Sequence, residues 1–76
     1  MIILNYGKFD SEAFFEEEYI RGIDKSVWDH TEKKYVLTIL YATEHSNIEK
    51  YKFTCYEDQA SAFISQWLKY KGYLKK

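Results

Sequence analysis

Tyr35-Val36-Leu37-Thr38-Ile39-Leu40-Tyr41-Ala42 ("YVLTILYA") is rich in β-branched and aromatic residues and has one polar member, Thr38. Read as a strand, it sends Tyr35, Leu37, Ile39 and Tyr41 to one face and Val36, Leu40 and Ala42 to the other, so both faces call for apolar cover. The following run, "IEKYKFTCY", behaves differently. It alternates Tyr51, Phe53 and Cys55 with Lys50, Lys52 and Thr54, the pattern of a strand with one buried and one solvated side. "TEHSN" connects these two strands, and "DHTEKK" connects the first back to a strand near Gly22–Trp28. The expectation is an antiparallel meander of three strands, with "MIILN" as an additional one.

Beyond Cys55 the period changes. Tyr56, Ala60, Phe63, Ile64, Trp67, Leu68 and Tyr70 follow helical spacing, with Asp58, Ser61, Ser65, Gln66 and Lys69 on the other side. This predicts an amphipathic helix from about Glu57 to Lys71. Glu57 and Asp58 suit its positive end, Lys69 and Lys71 its negative end, and Gly72 a left-handed cap.

The stretch Phe14-Phe15-Glu16-Glu17-Glu18-Tyr19-Ile20 ("FFEEEYI") fits neither period cleanly. As a helix it places Glu12 and Glu16 inside the apolar arc and Phe14 outside it; as a strand it mixes acid and apolar residues on both faces. Asp10 or Ser11 as an N-cap, with acids in the first turns, favours a short N-terminal helix ending before Gly22. The fold class is therefore α+β: an antiparallel β-meander of three to four strands packed against a C-terminal amphipathic helix, with a short N-terminal helix.

From Ser11 onward this order, helix, three strands, helix, resembles the layout of double-stranded RNA-binding domains in element order alone. Such domains meet phosphate with a basic start to the second helix, where this chain has Tyr56-Glu57-Asp58-Gln59.

Seventy-six residues make one domain spanning 1–76, and a chain of that length buries only about 60% of its surface on folding. Eight Tyr, five Phe and two Trp concentrate the apolar mass such a small core needs. Cys55 is alone and has no partner for a disulfide, which points to a reducing, cytoplasmic setting. The opening residues read as a strand rather than a secretion signal, and no apolar run is long enough to span a bilayer. Proline is absent and three glycines are scattered, so nothing divides the chain.

Charge is unevenly placed. Residues 1–32 hold eight acids against three bases, which sums to −5; residues 33–76 hold eight lysines against four acids, which sums to +4. Such a chain folds its halves together or associates head to tail.

Catalytic chemistry finds no constellation here. Gly7, Gly22 and Gly72 form no phosphate-cradling loop. His30 and His45 sit at opposite ends of the meander, roughly 25 Å apart at strand rise, too far to share a metal. Cys55 reads as a core thiol, Trp28 as a strand-end core residue, and Asp29-His30 as loop residues with no nucleophile spaced to join them. No metal, cofactor or catalytic residue is expected.

The remaining reading is a small non-enzymatic protein–protein interaction module: a homodimer, an accessory subunit or an inhibitor of a larger protein, of the sort phages and mobile elements carry. Its partner-binding residues are expected to be Phe14, Phe15, Glu16, Glu17, Glu18 and Tyr19, aromatic anchors with a carboxylate rim. In that picture the uncovered side of Tyr35–Ala42 is closed by Phe9–Ile20 or by another chain. The alternative is nucleic-acid binding through Lys33, Lys34, Lys50 and Lys52 with interleaved aromatics.

Overall fold

A computed structural model describes residues 1–72. Lys75 and Lys76, counted above in the basic half, lie outside the described residues. The chain runs β1 (Ile2–Tyr6), β2 (Ser11–Phe15), a single 3-10 turn (Glu17–Tyr19), β3 (Ile20–Asp29), β4 (Lys34–Tyr41), β5 (Glu49–Tyr56) and α1 (Glu57–Lys71). It forms two antiparallel sheets, a β1-β2 ribbon and a β3-β4-β5 meander, with one C-terminal helix.

The meander follows the pattern of the central stretch. Leu37 lies opposite Lys25 and Phe53, Ile39 opposite Ile23 and Tyr51, and Tyr35 opposite Val27 and Cys55. Opposed residues share a face, so Leu37, Ile39 and Cys55 come together on an inner face where all three are buried. Val36, Thr38 and Leu40 point the other way.

Helix α1 lies over the inner face. Ala60 and Phe63 are fully buried against Leu37, Ile39 and Cys55, and Ile64 and Trp67 pack at the margin. Full burial of each large apolar side chain contributes about 1.5–3 kcal/mol. The helix ends where expected, at Gly72 with φ 82°, whose amide bonds back to Lys69.

The N-terminal segment departs from expectation. No helix begins at Ser11. Ser11–Phe15 is instead a strand, paired with β1 from Ile2↔Phe15 to Tyr6↔Ser11, and only Glu17–Tyr19 turns, as one 3-10 turn. Gly7 (φ 75°) and Asp10 (φ 51°) adopt left-handed backbone on either side of the connection, and the Asp10 amide bonds to the Gly7 carbonyl. A tight hairpin results, a structure that a glycine and an aspartate tolerate well. With it goes the resemblance in element order to RNA-binding domains, since the first helix is absent.

The ribbon covers the same face as the helix. Ile2, Leu4 and Phe15 are buried in the common core, and the Phe15 ring meets Tyr41, Tyr51, Phe53 and Phe63 edge-on at 5.4–6.1 Å. The Tyr6 ring packs against Phe53 at 4.7 Å, tilted by 53°. Phe9–Ile20 thus does not close the second face of the meander. Among the described residues, no element lies over it.

Candidate functional site

The outer face of the meander is assembled by register. Across the sheet run the rows Gly22–Leu40–Lys50, Asp24–Thr38–Lys52 and Ser26–Val36–Thr54, and at the far end Lys34 stands beside Tyr56. Val36, Thr38 and Leu40 are half-buried in the centre, while Asp24, Lys50 and Lys52 are exposed on the flanks. A shallow depression lined by Gly22, Asp24, Thr38, Leu40, Lys50 and Lys52 occupies one end. Gly22 contributes no side chain to it; a methyl group there would stand 3.5 Å from Leu40 Cδ1, in ordinary contact.

The other end is aromatic. Register shifts bracket β3, one between Ile20 and Gly22 and one between Val27 and Asp29. Trp28 follows Gly22, Asp24 and Ser26 in alternation onto this uncovered face, where it is 62% exposed. Trp28 is thus at the strand end, as expected, but is not a core residue. The Lys34 ammonium sits 5.7 Å from the Trp28 ring centre and 5.8 Å from that of Tyr56, and 3.3 Å from Glu32. Cation–π contact thereby gathers these side chains at one corner of the face.

Of the four lysines expected to act together, the fold brings Lys34, Lys50 and Lys52 to this face. Lys33 does not join them. It adopts left-handed backbone (φ 56°) in the β3–β4 turn, beside Asp29, whose carboxylate accepts from the Thr31 amide at 2.9 Å and the Glu32 amide at 3.3 Å. Asp29 is accordingly a turn-forming residue.

The aromatic and acidic set expected to bind a partner is split. Phe15 is 6% exposed and forms part of the protein's own core, so its place among surface anchors is corrected: as the last residue of an alternating strand it faces inward because its neighbour faces out. Phe14 is that neighbour, 55% exposed and opposite Ile3 on the outer side of the ribbon. Tyr19 is half-buried, its ring 6.1 Å from Tyr41, and its carbonyl accepts from the Ala42 amide. The Glu16 amide donates to the Tyr41 hydroxyl, while Glu16 and Glu17 are half-buried and Glu18 is exposed. These residues chiefly anchor the link between ribbon and meander.

Cys55 and Tyr51 are among the ionisable groups perturbed by clear local causes. Burial pushes the Cys55 thiol up, partly offset by Lys25. The Glu49 carboxylate, accepting the Tyr51 hydroxyl, raises that phenol, with smaller contributions from desolvation and Tyr41. Among the described residues no three His, Cys, Asp or Glu side chains are grouped to hold a metal, and no helix is long and apolar enough to cross a membrane.

Sequence reasoning missed Gln59 and Gln66. Gln59 is buried; it accepts from the Tyr56 amide and donates to the Gly7 carbonyl and to Asp10 Oδ1. Gln66 accepts from the Ile3 amide at 3.1 Å and donates to the Ile3 carbonyl at 2.8 Å, so its side-chain amide pairs with β1 as a neighbouring strand would. Their separation by seven positions, two helical turns, was the available signal. No protein-family model, no curated protein and no solved structure matches the chain.

Proposed function

We propose that the chain is a small non-enzymatic interaction module whose working surface is the outer face of β3-β4-β5, serving as a homodimer, an accessory subunit or an inhibitor of a larger protein. One observation carries this reading: ribbon and helix are both on the inner face, leaving Val36 and Leu40 uncovered. An aliphatic centre with a charged rim is the anatomy of a protein interface, and apolar residues grouped on an open sheet mark such sites. Phe14 adds a separate exposed aromatic on the ribbon.

Capture from extracts of cells that express the chain, comparing wild type with Val36→Lys/Leu40→Lys and with Phe14→Ala, tests the assignment. Association lost with the first variant and kept with the second, both folded by circular dichroism, supports the sheet face. The reverse pattern moves the site to the ribbon.

A second reading, nucleic-acid binding, is favoured by the meeting of Lys34, Lys50 and Lys52 on one face with Trp28 and Tyr56 at its corner. Lysines along a groove beside stacking rings suit a single strand. Fluorescence anisotropy with a labelled oligonucleotide at two ionic strengths tests it, because such binding weakens steeply with salt. No binding at the lower salt removes it.

A further inference from the structure

The outer face is complementary to itself in one orientation. Two copies meeting face to face about a two-fold axis do so in one of two simple ways, with the axis lying in the interface either across the strands or along them. An axis across the strands stacks β5 on β5, setting the Lys50 and Lys52 rows of both copies against one another. An axis along β4 exchanges the sides of the sheet, so that β3 of one copy lies over β5 of its partner.

The register then determines every opposition. Asp24, Thr38 and Lys52 form one row across the sheet, so reversing that row sets Asp24 over Lys52 of the second copy, twice by symmetry. Gly22, Leu40 and Lys50 form another row. Reversed, it places Lys50 over Gly22, where the missing side chain leaves room for the lysine stem to pass toward solvent. Ser26 meets Thr54, and Val36 and Leu40 of β4 meet their own counterparts.

Within one molecule Asp24 and Lys52 are two strand spacings apart, about 10 Å, and neither has an ion-pair partner among the described residues. Both are therefore free to pair across the axis. Lys34, which the same axis would set near its own copy, swings sideways between Trp28 and Tyr56 and pairs with Glu32.

We infer that the bare face is completed by a second copy of this chain, packed sheet on sheet about a two-fold axis along β4 and held by reciprocal Asp24–Lys52 pairs around a Val36–Leu40 centre. This deepens the interaction-module reading and rests on it. Aligned sheets pack with their strands within about 30° of one another, which either axis satisfies, so the charges decide between them. Three strands about 4.8 Å apart, over about 20 Å of length, offer roughly 300 Å² in projection. That is small for a specific interface, so the dimer is expected to dissociate on dilution.

Charge reversal tests the pairing. Sedimentation equilibrium over a concentration series is run on wild type, Asp24→Lys, Lys52→Asp and the double variant, each checked for folding by circular dichroism. Both positions are exposed in the monomer, so folding is expected to survive. Each single change sets two like-charged pairs across the axis and is expected to weaken dimerisation roughly tenfold or more. The double variant restores opposite charges and is expected to recover the wild-type constant.

A wild type that stays monomeric at every concentration, or a dimer indifferent to both single changes, overturns the inference. A monomer that still captures a different protein through Val36 and Leu40 overturns the self-pairing and leaves the module reading in place. A monomer that instead binds the labelled oligonucleotide at low salt overturns both in favour of a polyanion.

Discussion

Phe15→Ala is expected to cost about 3–5 kcal/mol of folding free energy, the usual range for deleting a buried aromatic ring, because its buried ring packs edge-on against Tyr41, Tyr51, Phe53 and Phe63. Phe14→Ala, one residue away and exposed, is expected to fall within about 0.5 kcal/mol of wild type in the same urea titration. Cys55 supplies a second check. Its thiol is buried and its ionisation displaced upward, so a thiol reagent at neutral pH is expected to label it slowly in the native protein and rapidly in denaturant. Tyr51 supplies a third. Its phenol, hydrogen-bonded to Glu49, ionises above the usual tyrosine range. The unfolded chain therefore loses that proton first as pH rises, so the associated stability is full below the ordinary tyrosine pKa and is lost as pH climbs through the raised one. Glu49→Gln is expected to move the ultraviolet titration of Tyr51 downward. The burial of Phe15 was hard to read because the strand stops at that residue and a 3-10 turn follows. No single period spans "FFEEEYI".

At the scale of elements, the helix and the meander were legible and the ribbon's attachment was not. Glu57–Lys71 declares itself through apolar spacing, end charges and Gly72, all local properties. The ribbon depends on two glutamines, and hydropathy assigns glutamine to the wet side of any helix. Gln66→Ala is expected to cost about 1–3 kcal/mol, since it leaves the Ile3 amide and carbonyl without partners in a partly buried place. Hydrogen exchange should report the loss selectively, with the Ile3 amide losing protection while the β4 amides keep theirs. Gln66→Glu is expected to be costly too. A carboxylate accepts from the Ile3 amide but offers no proton to its carbonyl.

At the scale of the molecule, the two-sided character of "YVLTILYA" was legible, while the side taken by each covering element was not. Nothing local in Ser11–Phe15 says whether it closes the helix side or the open side. That choice rests on contacts from Phe15 to residues as distant as Phe63. The lysine face could be foreseen only in part: alternation placed Lys50 and Lys52 on one side, whereas the left-handed turn carrying Lys33 away is a backbone feature that alternation does not show, and the exposure of Trp28 follows from the face being left uncovered. Neutralising the lysines is expected to have two separable effects: it removes the Lys52 partner of Asp24, which weakens the specific two-fold dimer, and it strips the charged border from Val36 and Leu40. Acetylating the lysines should therefore lower solubility by exposing Val36 and Leu40 without a charged border, measurable by light scattering.

The pairing of Ile3 with Gln66 joins positions sixty-three residues apart. During synthesis the hairpin is made before the side chain that binds its backbone. Until then Ile2, Leu4 and Phe15 have no helix to close over them, whereas β3, β4 and β5 are joined by short turns and can pair as they appear. The nascent chain therefore carries an unpacked apolar ribbon until the helical turns around Gln66 are made, and those turns decide when that exposure ends.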